Sequence, residues 1–158
     1  MKLVLSIIIF WVGIKYQNSK FIQTIELAPN LFAYTDYIEG VKVAKKEQKP
    51  VVLYFKDRRS SNCKKFEKNI FADDKIKNYL NKNFVVIYLL VDDTSLNTQK
   101  ELNIKTKGEY NFYIEKSLFN SDLQPYVVLL NKQYNFKEGK GYTSDKNEFL
   151  KFLKTVNY

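Results

Sequence analysis

One cysteine, and a serine three residues before it, carry the chemistry this sequence could do. Cys63 is the only cysteine of the chain; it ends the stretch Arg59-Ser60-Ser61-Asn62-Cys63, between a strand-like run and an amphipathic helical pattern. A thiol acts as nucleophile, metal ligand or redox centre through its thiolate, which a helix N-terminus and nearby cations favour. Arg58, Arg59 and Lys64 are the cations at hand. The chain has no histidine, so a Ser-His-Asp triad, a Cys-His pair and any His-ligated metal site are excluded by inventory. Ser60 likewise lacks the usual base that would ionise its hydroxyl. The adjacent acids Asp92 and Asp93 read as the start of a loop, so no metal and no cofactor are expected. The plain alternative for Cys63 is a lone thiol buried in an α/β core.

The elements that must position these residues follow from periodicity. In KPVVLYF, residues 49–55, Pro50 favours an extended Lys49 and the β-branched apolar run after it has strand length without a polar face, which predicts a central strand over 51–55. A charged break follows, and Ser60 or Ser61 is placed to cap a helix. From Cys63 onward Phe66, Ile70 and Phe71 share one face, with Lys64, Lys65, Glu67 and Lys68 largely around the other. Asp73-Asp74 breaks that helix, and a second piece over 75–81 buries Ile76, Tyr79 and Leu80. FVVIYLLV, residues 84–91, is another unbroken apolar run, expected as a strand parallel to the first because a helix separates them.

Upstream, Thr35 or Asp36 caps a helix to about residue 48 with Tyr37, Val41 and Ala44 on its inner stripe; Gly40 weakens it by about 1 kcal/mol relative to alanine. Residues 21–34 form an N-terminal extension with a turn at Pro29-Asn30 and a peripheral strand or ordered arm. Downstream, 92–108 is a long polar stretch, either an insertion or a partner-contacting flap, with a short hairpin around 102–106. A helix over 109–120 aligns Tyr110, Tyr113, Ile114 and Leu118. Gln124-Pro125-Tyr126 leads into a strand over 127–130, a short strand over 134–136, and a last helix capped by Thr143 or Ser144 that buries Phe149, Leu150, Leu153 and Val156. The order β-α-β-α-β-β-α implies an α/β domain over 35–158, a central mixed sheet with helices on both faces.

Bulk composition agrees with one packed domain: 158 residues, 45% apolar, with 12 Phe and 12 Tyr. The net charge of +9 comes from lysines interspersed with acids, without the Arg-rich or basic-aromatic signature of nucleic-acid binding. No nucleic-acid partner is expected. Residues 1–20 have the grammar of an export signal, Lys2 followed by an apolar stretch over 3–14 and a polar one over 15–20, with cleavage expected near 16–20. The apolar stretch is shorter than the ~20 residues a membrane-spanning helix needs, so membrane association is expected only through an uncleaved N-terminal segment. A single cysteine in an exported chain leaves no intrachain disulfide.

Four segments carry a resemblance: KPVVLYF, CKKFEKNIFADDKIKNYLN, FVVIYLLVDD and FNSDLQPYVVLLN. Over about 32–158 the chain resembles thioredoxin-like proteins, and among them the C-terminal periplasmic domain of DsbD-type thiol:disulfide interchange proteins. The resemblance implies a thioredoxin fold, with Ser60 and Cys63 at the catalytic positions. Gln124, Pro125, Arg59, Ser61 and Asn62 are then implied around the substrate groove, with the proline bond cis. Members carry C-x-x-C here, whereas this chain has S-x-x-C. The first cysteine attacks a substrate disulfide and the second resolves the mixed disulfide, and a serine hydroxyl cannot carry electrons. Expected, therefore, is an exported monomer with weak or no dithiol oxidoreductase activity, engaging a cysteine-containing or extended polypeptide partner, with mixed-disulfide chemistry through Cys63 at most. The alternatives are a non-catalytic polypeptide-binding module in which Cys63 is inert and, further off, a membrane-associated structural protein.

Overall fold

The computed structural model describes residues 23–98 and 103–157. The segment expected to be an export signal, 1–20, lies outside the described residues, as does Leu102 of the expected hairpin. The central strands are β3 (Val51–Lys56) and β4 (Val85–Leu90), paired in parallel with Leu53 opposite Ile87. All of residues 51–55 are fully buried, as expected for strands covered on both faces. β5 (Tyr126–Leu130) runs antiparallel on the other side of β3, and β6 (Phe136–Lys140) antiparallel to β5.

The N-terminal extension forms more than one peripheral strand. β1 (Thr24–Ala28) and β2 (Leu31–Tyr34) make a hairpin whose turn uses Asn30 at φ 65°, and β2 joins β4 in parallel. The sheet therefore has six strands, ordered β1-β2-β4-β3-β5-β6. Leu31 and Ala33 are fully buried; short alternation with few residues hid a strand that tertiary pairing completes.

On one face lie α1 (Tyr37–Glu47), capped by Asp36, and α4 (Lys107–Phe119), capped by Thr106 in a reciprocal box with Glu109. They enclose Ala44, Leu53, Phe55, Ile87, Ile114 and Val128. Gly40 has a reason beyond helix propensity: a Cβ there would sit 2.5 Å from Ile87 Cδ1, so α1 lies against β4 only without a side chain. The other face carries α2 (Ser61–Phe66), which widens into a π-helical turn over Glu67–Phe71, then α3 (Asp74–Asn83) and α5 (Lys146–Lys154). Their core joins Tyr54, Phe66, Phe71 and Phe149 in edge-on ring contacts.

Three local expectations are corrected. Tyr134 is in a turn at φ 64°, not a strand, and β6 starts two residues later. Asp145 rather than Thr143 or Ser144 caps α5, accepting from the Asn147 and Glu148 amides; Thr143 instead takes part in a hydrogen bond with Glu148. In α4, Tyr113 and Leu118 face solvent, and the buried stripe is Gly108, Asn111, Ile114 and Glu115. That stripe is partly polar because Asn111 donates to the Leu90 carbonyl at the end of β4 and Glu115 receives the loop before β5.

Candidate functional site

Strand β3 delivers the chain to the site and α2 begins there. Ser60 is the N-cap, with extended backbone, and its Oγ accepts from the Cys63 amide at 3.2 Å. The same hydroxyl donates to the Gln124 carbonyl at 3.3 Å, across 64 residues of sequence. Gln124–Pro125 is a cis peptide bond, and Pro125 is buried. Ser60, Cys63, Gln124 and Pro125 are thus brought together. Ser61 and Asn62 are exposed on the first turn of α2. Arg59 lies at the rim: its side chain is 83% exposed and bonds back to Asp57. Between this rim and residues 92–94 is an open cleft of about 610 Å³, bordered by Arg58, Arg59, Asp92, Thr94 and Phe112.

The sulfur of Cys63 is sealed, at 0% exposure. The arginines expected to favour its thiolate are engaged elsewhere: Arg58 binds the Asp92 carboxylate and carbonyl, and Arg59 binds Asp57. Lys64 is exposed. On the same face of the sheet, groups from β3 and the π turn form a cluster of their own. Lys56 Nζ bonds both carboxylate oxygens of Glu67, at 2.7 and 2.8 Å, and the Tyr54 hydroxyl donates to Glu67 Oε1 at 3.2 Å. Burial first, then the Glu67 and Cys63 charges, hold the Tyr54 phenol far above its ordinary pKa. Tyr88 on β4 is pushed up to about 12 by burial and then by Glu67.

A buried thiol near a helix start is thus tied, through the Ser60 cap, to the loop that carries the cis proline. A model of the thioredoxin-like domain matches residues 38–157. The chain belongs to the thioredoxin-like family. The solved structures it resembles include a DsbH oxidoreductase, at 17% identity over 85% of this chain and 90% of that one, TM-score 0.63. A thioredoxin from Thermus thermophilus matches at 19% identity over 78% and 85%, TM-score 0.61. The oxidised C-terminal domain of DsbD from Neisseria meningitidis matches at 13% over 78% and 98%, TM-score 0.57. These likenesses concern the fold. No curated protein matches the chain.

In this thioredoxin-like chain the sequence signal for Tyr54, Lys56 and Glu67 was present but indirect. Tyr54 and Lys56 alternate onto the β3 face that meets α2, and Glu67 is one helical turn after Cys63. Asp93 accepts from the Ser95 amide within its own loop, and Asp92 accepts from the Arg58 amide and guanidinium across the cleft. The least legible residue is Glu115. It is fully buried, with Oε2 accepting from Gln124 Nε2 at 2.7 Å and Oε1 from Ser121 Oγ at 3.2 Å. Burial pushes its carboxyl up to about 7, against the lowering effect of those two donors. Nothing in the apolar pattern of 107–119 points inward at that position.

Proposed function

We infer that this is an exported thioredoxin-fold protein that holds extended or cysteine-bearing polypeptide at the Ser60 and Gln124–Pro125 edge, without turning over dithiols. One observation carries the inference. The residue at the attacking position is a serine whose hydroxyl is occupied by the Gln124 carbonyl, while the one thiol has no solvent exposure. Electron transfer needs an accessible thiolate and a second thiol to resolve the adduct, and this chain offers neither. A backbone edge beside a proline loop, by contrast, is a place where an extended segment can add as a strand. Leu123 supports that role, with 61% of its surface exposed next to the edge. The apolar stretch over 3–14 supports export.

Insulin reduction with dithiothreitol tests the catalytic half: turnover at the uncatalysed rate is expected, and an accelerated rate lost in Cys63→Ala overturns it. Fluorescence anisotropy with labelled, carboxymethylated insulin B chain tests the binding half; saturable capture by the full chain is expected, and none overturns it. A second reading, single-sulfur exchange at Cys63, is favoured only by the charge coupling between the thiol and the Tyr54 phenol. Mass spectrometry after glutathione disulfide treatment separates the two, with no adduct expected on the folded protein.

A further inference from the structure

The proline loop is held from behind by a group that the polypeptide-holding role does not itself use. Helix α4 ends at Phe119, and Asn120, in the left-handed region, turns the chain toward residues 121–125. Three consecutive anchors then lead back to Glu115. The Leu123 amide donates to Ser121 Oγ, Ser121 Oγ donates to Glu115 Oε1, and Gln124 Nε2 donates to Glu115 Oε2. From Gln124 the connection continues to the site: its carbonyl accepts from Ser60 Oγ, which in turn accepts from the Cys63 amide. A buried carboxylate with both oxygens committed to one loop is costly to desolvate, so its donors must stay in place to satisfy it.

We propose that Glu115 is the positioning residue of the proline loop, fixing the Gln124 side chain so that the Gln124–Pro125 backbone edge is presented beside Ser60 to an extended polypeptide. This rests on the polypeptide-holding reading above. Gln124 thereby has two tasks, its amide anchoring the loop inward and its backbone forming the edge. The hold is strongest when Glu115 is ionised, because a hydrogen bond to a carboxylate is charge-assisted. The charged and titratable groups around it are few. Lys116, next to it on α4, is bonded to Asp122 of the following loop at 2.8 Å, and Tyr126 of β5 senses the Glu115 charge. The chain has no histidine, and the titratable side chain bonded directly to this loop is Glu115.

The full chain is tested in two arms, with thermal melts establishing that each variant is folded. In the first, the side-chain amide resonances of Gln124 are followed by nitrogen-15 NMR without ligand. A transition centred at about pH 7 is expected in the wild type and none in Glu115→Gln; Gln124 amide resonances that are the same in the two proteins overturn the proposal. In the second, carboxymethylated insulin B chain is titrated by anisotropy. Capture is expected to weaken roughly tenfold in Glu115→Gln and in Gln124→Leu at about pH 8, the size of one lost charge-assisted hydrogen bond. Wild-type capture is expected to weaken as pH falls through about 7, and that of Glu115→Gln to stay level. Folded variants that capture like the wild type overturn the proposal. A wild type whose Gln124 amide titrates but which captures no B chain overturns the polypeptide-holding role and leaves the positioning of the loop standing.

Discussion

Glu67 and Glu115 are largely or wholly buried carboxylates on opposite faces of the same sheet, and they are kept there by different means. Glu67 lies with the Tyr54 and Phe66 core; an ammonium, Lys56, contacts both of its oxygens, and a phenol adds a third bond. Glu115 lies on the α4 face and meets only uncharged donors, the Gln124 amide and the Ser121 hydroxyl. Burial disfavours a bare charge, whereas a cation in contact offsets that cost. The carboxylate under the thiol is therefore built as half of an ion pair. The one under the proline loop is built as a group that gains and loses its proton near neutrality.

The sharpest way to break this contrast is to remove the cation. Lys56→Met leaves the Glu67 charge without its partner in a mostly buried place, and a loss of ~3 kcal/mol in urea denaturation is expected. Adding Glu67→Leu should recover most of it, since an apolar pair of similar size needs no compensation. A single variant as stable as the wild type would mean that Glu67 is not held by Lys56.

Next in size is the pH dependence at Glu115. Its folded-state pKa of about 7 lies above the ordinary 4.5. Between those values the folded protein binds a proton that the unfolded chain has released, so wild-type stability falls as pH rises from about 4.5 to about 7 and is level on either side. Glu115→Gln lacks this fall. Its stability relative to wild type should rise by ~2 kcal/mol between about pH 5 and about pH 8. A difference that does not change with pH would put Glu115 in the same class as Glu67.

The smallest expected effect sharpens the Glu67 side. Tyr54→Phe removes one buried hydroxyl that bonds the Glu67 carboxylate, worth ~1 kcal/mol by denaturation, and should leave the Glu115 transition untouched. A loss as large as that of Lys56→Met would make the phenol, not the ammonium, the main support of Glu67.

Much of this was legible beforehand, for identifiable reasons. The two unbroken apolar runs could only be covered strands, and a cap at Ser60 or Ser61 and the Phe66, Ile70, Phe71 face followed from side-chain chemistry and helical period, the structure choosing Ser60. The α4 face was misread because its stripe is chosen by polar contacts: Asn111 and Glu115 turn inward to a strand end and a loop, leaving Tyr113 and Leu118 wet. The electrostatics around Cys63 were misassigned for a similar reason. Proximity in sequence favoured Arg58 and Arg59, whereas aspartates nearer to their guanidinium groups claimed both.

By itself the sequence determined the inventory and the order of elements: one thiol, no histidine, a serine three residues before it, and a strand-helix alternation that folds into one kind of sheet. Only the tertiary structure decided which polar group meets which: Lys56 with Glu67 across 11 residues, Gln124 with Glu115 across 9, Ser60 with Gln124 across 64. The physical reason is that burial follows the period of a residue's own helix or strand. A hydrogen bond between separate elements depends on how those elements pack, and no local pattern encodes that.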